Sequence, residues 1–194
     1  MNIFLTWDSS GIWNFVFEKM SDKYNVFWVS RTGQYKYDLS KKEEIEKLAN
    51  HLKDTEFDVL ILNAWMWYFW DFRQGSIENY EKIINLNLFA NIMLLQKLNY
   101  IPKVKIIFIW SIISKKFMKW ATVYQASKFG LRWFAWWLKQ EWYKVHIINP
   151  KIVDTNFHPH NLSLSKFPET KIEDIYQVIE NIISWEEKRF EIDL

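Results

Sequence analysis

Tyr124 and Lys128, in the run Tyr124-Gln125-Ala126-Ser127-Lys128, stand four residues apart at the start of a helical pattern, hence on one helix face. A phenol and an ammonium placed in this way are groups that can move a proton. Ser111 ends an apolar strand 13 residues before Tyr124, and Asn87 sits in the helical run Ile84-Asn85-Leu86-Asn87-Leu88. A Tyr-x-x-x-Lys match alone arises often by chance, so its weight comes from what surrounds it. The first strand-to-helix turn reads Thr6-Trp7-Asp8-Ser9-Ser10-Gly11-Ile12-Trp13. A turn at that place offers backbone N–H groups and a helix N-terminus to phosphate, and the close approach asks for glycine. The chain has no cysteine, which removes thiol nucleophiles, thiolate metal sites and disulfides. His158 and His160 share a polar loop with no third ligand at suitable spacing, so they read as solvent-exposed and no metal site is expected.

These residues must be positioned by regular elements, and the pattern supplies them. Apolar runs over residues 2–6, 24–29, 57–62, 104–109 and 144–148 read as strands, with a closing strand over 189–194. Helical spacing begins at Ile12 and recurs over 41–53, over 77–98 as one long helix, over 122–140, and over 172–183. A polar loop covers 154–170. Strand and helix alternate, and the strands are runs of Val, Ile, Leu and Phe. That predicts an α/β fold: a Rossmann-like, doubly wound parallel sheet with helices on both faces, one domain over residues 1–194. Ligands in such a fold sit at the carboxyl ends of the strands.

Composition narrows the function classes. The chain is 49% hydrophobic and 25% charged, enough apolar surface for one core and too much for a disordered chain. Its net charge of +2 gives no electrostatic case for nucleic acid or an anionic membrane. No segment reaches the roughly 18 apolar residues of a membrane span. The expectation is a soluble, cytoplasmic protein. Two counts are abnormal: glycine occurs 4 times, against about 7% of residues in ordinary proteins, and tryptophan 13 times. Together they approach an ordinary glycine count for this length, which suggests that tryptophans stand where glycine belongs.

Read Trp7 and Trp13 as glycine and the first turn becomes T-G-D-S-S-G-I-G, while Asn63-Ala64-Trp65 becomes N-A-G. With these, the chain resembles the short-chain dehydrogenase/reductase family. The ordered set is the turn, Asn63-Ala64, Asn87, Ser111, Tyr124, Lys128 and Asn149-Pro150. The resemblance covers residues 1–155 well and the tail only loosely. Trp28, Trp110 and Trp133 also fall where this family favours glycine or a small residue. The economical reading is UGA translated as tryptophan where the source organism reads glycine.

The resemblance implies hydride transfer between a nicotinamide cofactor and a small carbonyl or alcohol. In it, Tyr124 would exchange a proton with the substrate oxygen, and Lys128 would favour the phenolate and bond the nicotinamide ribose. Ser111 would hold the substrate oxygen, and Asn87 would position a water in a proton relay. Thr6, Trp7, Ser9, Ser10, Gly11, Ile12 and Trp13 would form the phosphate turn. Asn63 would stabilise the central sheet, Ala64 and Trp65 read as glycine would make room for adenosine ribose, and Asp38 would contact adenine. Pro150, Val153 and Thr155 would lie near the carboxamide, with Lys151 departing from the family's glycine. Arg31 follows the second strand where an acid would select NAD. An arginine suits the 2′-phosphate of NADP, so NADP is preferred and NAD comes second. The helices over 77–98 and 122–140 imply a homodimer or homotetramer. The competing function is a dinucleotide-binding sensor or scaffold without turnover, or a chain inactivated by Trp7 and Trp13.

Overall fold

The computed structural model describes residues 1–7, 12–111, 115, 117–151, 153 and 170–194, and of Ile12 the backbone alone. Alternation along the strands builds two apolar faces. In β1 (Asn2–Thr6), Ile3 and Leu5 bury on one side and Phe4 on the other. In β4 (Glu56–Leu62), Val59 and Ile61 oppose Leu60 and Leu62, and in β5 (Asn99–Ile109), Ile107 and Ile109 oppose Ile106 and Phe108. Strands apolar on both sides must be covered on both. With β2 (Asn25–Ser30), β3 (Tyr35–Lys36), β6 (Lys144–Asn149) and β7 (Glu191–Asp193) they form a seven-stranded parallel sheet in the order β3-β2-β1-β4-β5-β6-β7.

One face is covered by α1 (Ile12–Ser21) and α6 (Ile172–Ile183), through Val16, Met20, Ile175 and Ile179. The other is covered by α2 (Lys42–His51), α4 (Ala90–Lys97) and α5 (Thr122–Gln140), through Leu48, Leu94 and Leu131. Between β4 and α4 runs α3 (Ile77–Ile84), begun by a Ser76 cap whose side chain accepts from the Asn79 N–H. The strand order reverses between β1 and β4, which opens a crevice at their carboxyl ends. The doubly wound α/β sheet expected from the sequence is therefore observed. No described helix is long and apolar enough to cross a membrane, and the described residues contain no metal-holding cluster.

Several element ends shift by one or two residues from the expectation, and three differences have a structural reason. The run over 77–98 is not one uniform helix: a π-helical segment, Asn85–Phe89, separates α3 from α4. Such an insertion is invisible to a 3.6-residue pattern and is often found at functional sites. β5 begins at Asn99, not 104. It absorbs Pro102 where its register against β4 shifts, between Phe57 and Val59, so the missing N–H breaks no regular ladder. β7 is shorter than 189–194. It is tied down by charge: Glu191 accepts from Arg132 at 2.9 Å and pairs with Lys115 at 3.1 Å, while Asp193 accepts from Lys115 at 2.6 Å. Asn149 at the end of β6 donates to both carboxylates, each at 2.9 Å.

Candidate active site

One hydroxyl joins the strand ends at the crevice. Thr6 Oγ1 accepts from the backbone N–H groups of Asn63 (2.9 Å) and Ala64 (3.0 Å). Trp7 follows, its N–H donating to the Val29 carbonyl at 2.9 Å. Its indole is buried 5.0 Å, ring to ring, from Trp28 and 6.3 Å from Phe17. Trp13, in the first turn of α1, is buried in the same layer. Ser9, Ser10, Gly11 and Thr155 lie outside the described residues, as do His158 and His160.

A cavity of about 200 Å³ lies beside Trp7, lined among others by Ser30, Arg31, Asp38, Ser40 and Ala64. The structure thus brings Trp7, Ala64, Arg31 and Asp38 together at one cavity. Asp38 accepts from the Ser40 hydroxyl (2.6 Å) and N–H (3.0 Å). Burial alone would raise its carboxyl, but those bonds and the charges of Lys41 and Arg31 hold it below the usual carboxylate value. Ser30, Ser40, Tyr68 and Lys82 also line this cavity and were missed from the sequence. The Asp38-x-Ser40 pair carried a readable turn signal; Tyr68 and Lys82 carried none.

At the other end of the crevice, Asn87 in the π-helical segment is buried and fully engaged. Its Oδ1 accepts from the Met66 N–H (2.8 Å), and its Nδ2 donates to the Met66 carbonyl (2.9 Å) and to Ser127 Oγ (3.0 Å). Ser127 Oγ in turn donates to the Tyr124 carbonyl at 2.6 Å. One side chain therefore fastens the loop after β4 to the helix that carries Tyr124 and Lys128. Asn91, one turn on from Asn87 and also missed, donates to the Asn87 carbonyl at 2.9 Å.

Tyr124 and Lys128 are both buried on α5. The Trp65 ring lies 5.3 Å from Lys128 Nζ and 6.2 Å from the Tyr124 ring. Burial pushes the Lys128 ammonium down to about 7 and the Tyr124 phenol up. The sequence led us to expect the ammonium to lower the phenol. Here burial disfavours the phenolate and leaves the lysine near neutrality. Ser111 follows β5 half-buried, Pro150 is buried after β6, and Val153 packs partly against the α1–α6 layer. Lys151 N–H donates to Thr170 Oγ1 at 2.9 Å.

A family model described as short chain dehydrogenase matches residues 25–163. The chain belongs to the short-chain dehydrogenase family. The match begins beyond the turn that holds Trp7 and Trp13. A comparison with curated protein sequences gives no match. Among solved structures, the chain resembles a short chain dehydrogenase family protein from Francisella tularensis subsp. tularensis SCHU S4, with 20% identity, 100% of this chain and 96% of that one covered, and a TM-score of 0.83. A short chain dehydrogenase from Burkholderia cenocepacia J2315, in complex with NADP, shares 15% identity over 99% of this chain and 95% of that one, TM-score 0.83. A 4-hydroxyisoleucine dehydrogenase complexed with NADH shares 22% over 99% and 96%, TM-score 0.83.

Among the described residues, those at one end of the crevice fit the phosphorylated ribose of a dinucleotide, and an indole covers the other end. Arg31, Ser30 and Ser40 offer a charged, hydrogen-bonding pocket for a phosphorylated ribose. Trp7 lines the same cavity with its ring buried against Trp28 and Phe17, and the Trp65 ring covers the Lys128 and Tyr124 end. Asn63 is buried at the end of β4 with neither side-chain amide atom hydrogen-bonded among the described residues. That is polar capacity unused among the described residues.

Proposed function

We propose that this protein is an NADP(H)-dependent oxidoreductase acting on a small carbonyl or alcohol, with NAD(H) the weaker cofactor. The observation that carries the reading is the fastening of the Tyr124–Lys128 helix to the β4 loop by Asn87, on a fold that belongs to this family. A bound nicotinamide supplies or takes the hydride. Tyr124 holds the proton exchanged with the substrate oxygen, Lys128 is the charge beside it, and Ser111 orients that oxygen. Arg31 in the ribose cavity supports the preference for a 2′-phosphate. Thr6, Asn63, Ala64 and Asp38 line or brace the cofactor's side of the crevice. The working form is a homodimer or homotetramer, supported by the exposed Phe129, Trp136 and Trp137 along α5.

The reading is tested in a triple variant, Trp7→Gly, Trp13→Gly and Trp65→Gly, with small ketones and aldehydes as substrates and NADPH consumption as the signal. Adding Tyr124→Phe is expected to lower reduction by at least about 10²-fold. NADPH binding, followed by calorimetry, is expected to stay nearly unchanged. Undiminished turnover by the phenylalanine form refutes the role of Tyr124. A dinucleotide binder without turnover is the second reading, and the Trp65 ring over Lys128 favours it for the chain as written.

A further inference from the structure

Three residues other than glycine have left-handed backbones among the described residues, and all three are tryptophan: Trp120 (φ 63°), Trp142 (φ 72°) and Trp185 (φ 67°). None of the described glycines uses that region. A bulky side chain there is a true outlier, because its Cβ crowds the neighbouring carbonyl. Glycine has no such atom.

The local bonding says what these positions are for. After α5, capped by Glu141, the Trp142 N–H donates to the Lys139 carbonyl and the Tyr143 N–H to the Leu138 carbonyl, both at 3.2 Å. After α6, capped by Ser184, the Trp185 N–H donates to Ile182 at 3.2 Å and the Glu186 N–H to Asn181 at 2.9 Å. This pair of bonds is the Schellman ending, whose first residue past the cap is left-handed and is most often glycine. Trp120 forms the turn into α5, where its carbonyl accepts from the Trp70 N–H at 3.0 Å. None of the three was singled out by a family motif, so the backbone is an independent witness. Trp110 adds another kind of misfit: it is buried, and its indole N–H has no acceptor among the described residues.

We infer that Trp120, Trp142 and Trp185 are glycine in the protein as its own cell makes it, through UGA codons read as glycine, and that Trp7, Trp13 and Trp65 belong to the same set. The crevice is then free of the Trp7 and Trp65 indoles between the Arg31 cavity and Lys128. The inference rests on backbone geometry and holds whether or not the proposed activity does.

The coding DNA and the mass of tryptic peptides from the source cells decide it. UGA and glycine-mass peptides are expected at 120, 142 and 185. UGG codons or tryptophan-mass peptides there overturn it. A physical test in the recombinant chain uses Trp142, which is 91% exposed and so gives up little burial. Trp185 is less clean, because its ring covers Lys105 Nζ at 3.9 Å. Trp142→Gly is expected to raise Tm by about 2–4 °C, the shift that relief of one left-handed Cβ brings in a chain of this size. Trp142→Ala, which removes the indole but keeps a Cβ, is expected to bring no such rise. Equal Tm for the two variants refutes the backbone argument.

Discussion

The Lys128 ammonium lies 5.3 Å from the centre of the Trp65 ring and 5.7 Å from that of Tyr124, so the dyad is sealed under an indole contributed by the loop after β4. A lysine sealed in this way is held down to about 7 in the folded protein, against 10.5 for the ordinary group. Between those values the unfolded chain binds a proton that the folded chain has released. Stability of the chain as written is therefore expected to rise with pH from about 7 towards 10.5. Trp65→Gly readmits water, returns the ammonium towards its usual value and flattens that slope. Urea midpoints measured across this range check it; an unchanged slope means that Trp65 is not what buries Lys128.

Asn87 fastens three groups at once, the Met66 N–H, the Met66 carbonyl and Ser127 Oγ. Asn87→Ala leaves buried partners unpaired and is expected to lower stability by about 2–4 kcal/mol. Asn87→Asp keeps the acceptor and loses both donated bonds. Denaturant unfolding should rank the wild type above both variants. A loss under about 0.5 kcal/mol for alanine, the lower end for one ordinary hydrogen bond, would show that the clamp carries little.

Arg31 lines the cavity beside Trp7 with Ser30 and Ser40. In the variant with glycine at 7, 13 and 65, NADPH is expected to bind more tightly than NADH. Arg31→Ala should erase about 10- to 100-fold of that difference, the worth of one charge-assisted bond. Calorimetric titration with both cofactors measures it, and equal affinities in the parent reject the NADP assignment.

Glu191 fixes the last strand. Burial alone would raise its carboxyl, yet bonds from Arg132, Asn149 and Lys115 leave it lowered, and Asp193 behaves alike with Lys115 and Asn149. A carboxylate with a depressed folded pKa stabilises above its unfolded value and loses that contribution as the pH falls through the folded one. Glu191→Gln is expected to cost about 1.5–3 kcal/mol at neutral pH and to shrink the loss of stability on acidification. Thermal melts from pH 7 down to about 3 test this, since the ordinary carboxyl titrates near 4. A variant with the parent's acid limb would place the acid sensitivity elsewhere.

Much of the fold was legible in the residues because its signals are local. Runs such as Phe57-Asp58-Val59-Leu60-Ile61-Leu62 bury on both sides, and the period of residues 122–140 and 172–183 matched α5 and α6 to the residue. The Tyr124–Lys128 spacing placed both groups on one face of α5, and the glycine deficit flagged the tryptophans, among which the family resemblance picked out Trp7, Trp13 and Trp65. Chain order, spacing and composition contain that much.

Tertiary structure alone decided the rest. The π-helical segment that turns Asn87 into a clamp shows only when Met66 and Ser127 arrive beside it. Pro102 could enter β5 because β4 supplied a register shift at that point. Tyr68 and Lys82 joined the cavity beside Arg31, and Trp65 closed over Lys128, through packing between segments far apart in the chain. Left-handed backbones at Trp142 and Trp185 follow from where α5 and α6 must stop, and that at Trp120 from the turn that enters α5. Each is a property of distances and dihedral angles set by long-range contact, which residue types in order do not encode one position at a time.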